Sequence, residues 1–343
     1  MTDRKPSKSK ETSSLTATLD EFMQLESAGG LLLLGSAILA LGVANSPLSQ
    51  YYATLLDTTL AVQVGALAIN KPLLLWVNDG LMAVFFFLVG LEIKREVVEG
   101  ELSSMSQVVL PGMGALGGML VPAGIYVWLN WHDAVALDGW AIPVATDIAF
   151  ALALLAAFGA RVPAPLKIFL LTLAIFDDLA AIVIIALFYS ADLSIGALVV
   201  GGIALAGAIL MNWRGVTRTS AYILVGLVLW VAVLKSGVHA TLAGVLLAFC
   251  IPMRGKDDSK SPLTALEHNL HAPVAFAILP VFAFVNAGLP LFDLAFADLF
   301  HPVTQGIIFG LLLGKPIGIL GFVGIAVALG ICRLPEGCTW GQI

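Results

Sequence analysis

Long apolar stretches of about 20 residues, separated by short polar ones, fill the chain from residue 27 onward. Runs of that length read as membrane-crossing helices, and they lack the alternating ten-residue pattern of a membrane barrel. The pattern predicts ten spans, at about 27–44, 73–93, 108–130, 140–158, 165–189, 195–213, 220–234, 237–252, 270–289 and 305–331. The expected fold class is an all-α integral membrane protein, polytopic and helical, with 27–343 forming a single transmembrane domain.

Two segments depart from that pattern. Residues 1–26 are polar and carry Arg4, Lys5, Lys8 and Lys10, which predicts a disordered cytoplasmic N-terminus rather than a cleaved leader. Between the first two spans lies TTLAVQVGALAINKP, where Val62, Val64, Ala66 and Ala68 alternate with Gln63, Gly65, Leu67 and Ile69. Gly65 and Asn70 suit turns, so the segment predicts a small external β-hairpin, with an ordinary loop as the alternative. An exposed hairpin edge is a natural contact between copies. The expected partners are therefore the lipid bilayer and a second copy joined through 59–70, with no nucleic acid.

Composition agrees. The 343 residues are 59% hydrophobic and 12% charged, against about 25% charged in soluble domains. The net charge of −6 matters less than its sorting. Fourteen of the 17 Lys and Arg residues fall on one side of the threading, which makes that side cytoplasmic. Only Lys71 and Lys235 fall outside, and Lys315 lies within span ten. Trp128, Trp131 and Trp140 cluster near one interface. Cys250, Cys332 and Cys338 form no disulfide framework.

Candidate chemistry sits inside the spans. The apolar run Ile168–Phe188 has 21 residues, and Asp177 is its tenth. A charge at the centre of a spanning helix costs about 2.5–3.5 kcal/mol on insertion scales. Two adjacent ones, Asp177 and Asp178, point to something bound or released in mid-membrane. Their side chains diverge by about 100° on a helix, so one faces a cavity more directly than the other. Close carboxylates resist ionising together, and a small hard cation relieves the repulsion. The pair can thus hold protons or a cation but not comfortably both, which is the core of an exchange mechanism. A buried structural charge is the alternative.

Span four, WAIPVATDIAFALALLAAFG, is interrupted at Pro143, with Thr146 and Asp147 at mid-depth. That combination marks a discontinuous helix lining a cavity. Thr146 and Asp147 are candidate ion ligands there, with dipole neutralisation as the structural alternative for Asp147. Lys315, in GLLLGKPIGIL, needs a counter-charge, and Gly310, Gly314 and Gly318 allow close helix approach beside it. Asp177 is the expected partner, the dipole of a broken helix the alternative. A lysine paired only when the cation is absent would itself carry a proton.

A second cluster lies at the cytoplasmic ends of spans two and nine: Glu92, Lys94, Arg95 and Glu96, with Glu267, His268 and His271 in LEHNLH. Titrating groups there would sense pH, and a solvated helix end is the plainer reading. His239 sits near the outer end of span eight, where a hydrogen-bonded interface histidine is expected. Asp79, in the outer part of span two, is left without a role. No nucleotide-binding or cofactor motif is present, so no cofactor is expected beyond transported ions, and no catalytic residue. An intramembrane aspartyl protease would need a GxGD turn, which is missing. A proton-coupled symporter of an organic solute would want aromatic or amide groups at mid-membrane.

The motifs WAIPVATDIAFAL, LKIFLLTLAIFDDLAAIVIIALFY, YILVGLVLWVAVLKSGVHATLAGV, LEHNLHAPVAFAILPVFAFVNAG and GLLLGKPIGI resemble the NhaA family of bacterial sodium/proton antiporters, from about residue 20 to the last. The resemblance implies an inverted-repeat, broken-helix transporter of the inner membrane. It implies electrogenic export of cytoplasmic Na+ or Li+ for external protons, activation at alkaline pH, and a hairpin-joined dimer. By motif, Asp177 and Asp178 match the ion- and proton-binding pair. Thr146 and Asp147 match the broken-helix site, and Lys315 the balancing lysine. Glu92, Arg95, Glu96, His239, Glu267 and His268 match positions linked with pH response, although SPLTA before Glu267 lacks basic residues common in the family. Family members typically have twelve spans, whereas this sequence stops at LPEGCTWGQI before span eleven. The expectation is that residues 1–343 alone exchange ions poorly or not at all.

Overall fold

The structure, a computed structural model, describes residues 28–65, 67–100, 105–145, 162–190, 193–255, 261–293, 295–335 and 338–341. The predicted tail 1–26 and most of span four, including Thr146 and Asp147, lie outside the described residues. Lipid offers no partner for backbone amides, so spans must satisfy their hydrogen bonds internally. The apolar runs accordingly form helices α1 (Ala28–Ala44), α2 (Ser49–Asp57), α3 (Leu73–Val98), α4 (Met105–Asn130), α5 (Ala134–Leu137) and α6 (Ala164–Phe188). They continue as α7 (Ile195–Trp213), α8 (Thr219–Leu234), α9 (Leu242–Cys250), α10 (Pro262–Asn286) and α11 (Pro302–Ala328). Among the described residues, α3, α4, α6, α7, α10 and α11 are long and apolar enough to cross a bilayer. The pair α1 and α2, bent by 113° at Asn45–Leu48, makes a seventh candidate. Leu187, Ile203, Leu224 and Leu312, each about two-thirds exposed or more, are suited to face acyl chains.

The hairpin forms where alternation places it. Strands β1 (Thr59–Val64) and β2 (Leu67–Pro72) pair antiparallel from Thr59↔Pro72 to Val64↔Leu67. Gly65 opens the turn at φ +61, a conformation that favours glycine. Asn70, expected in a turn, instead pairs with Ala61 inside the ladder.

Two boundaries differ from the hydropathy reading. Span eight was expected from 237, but α9 begins at Leu242 because the chain turns at Gly237, φ +84. Helix α10 starts at Pro262, eight residues earlier than expected. The Ser261 side chain accepts from the Thr264 N–H, and Pro262 takes the first helical position. The polar LEHNLH is helical but not apolar, so hydropathy alone passed over it.

Among the described residues, three spans contain a wide π turn: Val77–Leu81 in α3, Val274–Ile278 in α10 and Gly310–Gly314 in α11. The latter two each precede a proline by two residues, Pro280 and Pro316. A proline ring clashes with the carbonyl four residues back. Those carbonyls, at 276 and 312, fall within the widened turns, which relieve the clash.

Helices α4 and α11 cross at glycines. A methyl group on Gly318 would drive into the Gly117 carbonyl, and one on Gly117 into the Gly318 carbonyl. Leu173 of α6 packs beside them with Leu110 and Val323. A second unit joins α3, α8, α9 and α10 around Phe87, Leu91, Tyr222, Leu229, Leu247 and Leu263. Ile175 and Ile182 of α6 link the two through Val89, Ile93 and Val245. Gly318→Val should therefore lower the melting temperature in detergent, with an overpacking cost of about 1–3 kcal/mol or more. Gly321→Val, where nothing lies within 4 Å, should leave melting unchanged. Equal melting of the two variants would remove the crossing from the account.

Candidate ion site

Asp177 and Asp178 fall at the middle of α6, on faces that diverge as the helix repeat requires. Asp177 turns inward and is 3% exposed, while Asp178 is half-buried. Lys315 begins the α-helical part of α11 directly after the Gly310–Gly314 turn. Its Nζ lies 3.2 Å from Asp177 Oδ2, so the expected pair forms. The charge of Asp178 also reaches Lys315.

Lys315 also meets backbone oxygen. Residues Ile142–Val144 make a 3₁₀ turn that ends in an extended Ala145 (ψ 147). Lys315 Nζ donates to the Val144 carbonyl and, at 3.2 Å, to the Ala145 carbonyl. The ammonium thus bridges a carboxylate on α6 and two backbone carbonyls that end the Ile142–Val144 turn. Glycines set this distance. A Cβ on Gly310 would come within 2.7 Å of Pro143, and one on Gly314 within 2.9 Å of Pro122. Sequence reasoning missed the two carbonyls, since backbone groups leave no side-chain signal. The proline interruption was the available clue.

This arrangement has a definite chemical capacity. Three donors on one ammonium hold three oxygen acceptors that a monovalent cation could take instead. Thr146 and Asp147 follow Ala145 directly in sequence, but lie outside the described residues. Among the described residues no group of three or more His, Cys, Asp and Glu is placed to hold a metal ion.

The second cluster also assembles. Arg95 Nε donates to both Glu267 carboxylate oxygens at 3.0 Å, and Arg95 Nη2 lies 2.9 Å from Glu96 Oε1. Glu96 is 9% exposed, and Glu92 acts on Arg95 from one turn away. His271, rather than His268, faces Glu267; His268 is exposed. His239 does not join them, and its Nδ1 instead lies 3.2 Å from Thr241 Oγ1. Lys94, given no role above, caps α9 by donating to the Phe249 and Ile251 carbonyls at 2.8 and 2.6 Å. The three cysteines are free, and burial pushes the Cys332 thiol up, which makes it a poor nucleophile.

Comparison with known proteins places the chain in a family. A family model described as Na+/H+ antiporter 1 matches residues 20–343. The chain is 59% identical over 329 residues to the Na(+)/H(+) antiporter NhaA of Pseudomonas fluorescens Pf0-1, covering 96% of this chain and 83% of that protein. It is 59% identical over 326 residues to Na(+)/H(+) antiporter NhaA 1 of Syntrophotalea carbinolica, covering 95% and 82%. A relative from Shewanella sp. ANA-3, Na(+)/H(+) antiporter NhaA, is 58% identical over 322 residues, covering 94% and 82%. A multi-pass membrane protein in which Lys315 meets Asp177 and two backbone carbonyls, this chain belongs to the Na+/H+ antiporter 1 family.

Proposed function

We propose that the chain is a secondary active transporter of a bacterial inner membrane, exporting cytoplasmic Na+ or Li+ in exchange for external protons. One observation carries this reading: the Lys315 ammonium occupies Asp177 and the Val144 and Ala145 carbonyls together. A sodium ion entering that oxygen set competes with the ammonium. Lys315 then gives up its proton and withdraws, and the site trades one positive charge for another. A second proton leaving Asp178 as the cation arrives would make the exchange electrogenic. Thr146 and Asp147, next in sequence after Ala145, are the further ion ligands proposed.

The Glu92, Arg95, Glu96 and Glu267 cluster is the proposed regulatory site. It ties the cytoplasmic ends of α3 and α10, so a proton gained there would loosen two helices at once. His268 and His239 belong to this proposal only by sequence position. The excess of Lys and Arg on one side supports cytoplasmic termini. The bare hairpin supports a homodimer.

Inside-out vesicles carrying the protein, loaded with a fluorescent pH probe and energised to an acid interior, provide the test. Na+ or Li+ added outside should raise interior pH within seconds, and K+ should not. Equal responses to all three cations would overturn the assignment.

A further inference from the structure

The two basic residues that escape to the outer side, Lys71 and Lys235, both end on the hairpin. Lys71 Nζ donates to Asp79 Oδ2 at 2.7 Å, which ties β2 to the π turn of α3. Lys235, just past the end of α8, donates from Nζ to the Ala68 carbonyl at 2.7 Å. The Trp76 indole donates to the Leu60 carbonyl of β1 at 3.0 Å, and the Leu73 N–H to the Thr58 carbonyl at 2.9 Å. The Trp230 indole donates to the Asp79 carbonyl at 2.8 Å, so α8 braces the turn that carries Asp79. That carboxylate is only 16% exposed.

Strand alternation makes the clamp one-sided. Ile69 and Lys71 share one face of β2. Ile69 is 5% exposed, and Lys71 is held by Asp79. The register places Leu60 and Val62 of β1 on the same face, opposite Lys71 and Ile69, and alternation adds Val64. These three are 43%, 51% and 72% exposed. One strand is thus seated on its own chain, while the other extends that face outward with three bare apolar side chains in a row.

We infer that Asp79 is a positioning residue for assembly, not for transport: through Lys71 it sets the hairpin so that β1 projects for pairing with the same strand of a second copy. The pairing partner rests on the dimer proposed above, whereas the clamp rests on geometry alone. A free hairpin of two strands is at best marginally stable, so its order must come from these tethers.

The test uses the purified full chain in lipid nanodiscs, with amide hydrogen exchange over 59–72 as the first readout and dimer fraction by native mass spectrometry as the second. Asp79→Asn should raise exchange of the hairpin amides about tenfold. It should also shift the population toward monomer, with sodium-driven flux per molecule kept. The double charge swap Lys71→Asp with Asp79→Lys should restore protection. Unchanged hairpin exchange in Asp79→Asn, or a swap that restores nothing, overturns the clamp. So does lost flux with the hairpin intact, which would place Asp79 in the ion path. Val62→Asp separates the two ideas. If it leaves the dimer whole while Asp79→Asn loosens the hairpin, the pairing reading fails and the clamp stands.

Discussion

Asparagine at position 177 or 178 leaves the protein inserted and removes sodium-driven proton movement, to below about 1% of the unsubstituted chain. The magnitude follows from charge. A carboxylate about 4 Å from a monovalent ion at an effective dielectric near 20 contributes about 4 kcal/mol. Each 1.4 kcal/mol is about a factor of ten, so neutralising it weakens cation binding about a thousandfold. The two variants should part company on stability. Asp178 is half-buried, and Asp178→Asn should melt close to the unsubstituted chain. Asp177 is the acid in contact with Lys315, so Asp177→Asn also strands an ammonium and should melt lower. Vesicle flux and detergent melting read the two effects separately. Retained exchange in either variant takes that residue out of the site.

The same contrast between the two acids bears on what the amino-acid sequence could reveal. A lone charge in lipid must be neutralised, so Lys315 needed a counter-charge, with Asp177 the expected partner and a helix dipole the alternative. The glycines at 310, 314 and 318 likewise announced a close crossing, and the hairpin followed from alternation around Gly65. What stayed hidden was carried by backbone or by tertiary geometry. The Val144 and Ala145 carbonyls have no side-chain signature, and the break at Pro143 told only where carbonyls would be free. The π turns are readable in hindsight at Pro280 and Pro316, but nothing in the sequence marks Val77–Leu81. Lys94 looked like one more cytoplasmic charge until the end of α9 was seen beneath it. His271 lies four residues after Glu267 and so shares its helix face, whereas His268, one residue on, points away. Asp79 had no role because its partner lies eight residues back, across the hairpin exit.

Removing the lysine gives the second large effect, and it should appear first in stability. Lys315→Met keeps the side-chain volume but leaves Asp177 without the ammonium at 3.2 Å and the Val144 and Ala145 carbonyls without their donor. Breaking a buried pair from one side costs about 3–5 kcal/mol, because the remaining charge is uncompensated. Melting in detergent should fall clearly, and exchange should fall with it. Replacing both partners is different in kind. When a buried pair is exchanged as a whole for uncharged groups of similar size, the desolvation cost of both ions disappears with their attraction. Lys315→Met combined with Asp177→Asn should therefore melt higher than Lys315→Met alone, while exchange stays absent. That sign of non-additivity is what distinguishes a charge pair from two independent packing contacts. A double variant that melts at the sum of the single losses would mean that the ammonium and the carboxylate stabilise their helices separately. The proposed competition between Lys315 and a sodium ion for Asp177 would then lose its physical basis, since a cation gains nothing by replacing a partner that is not energetically coupled.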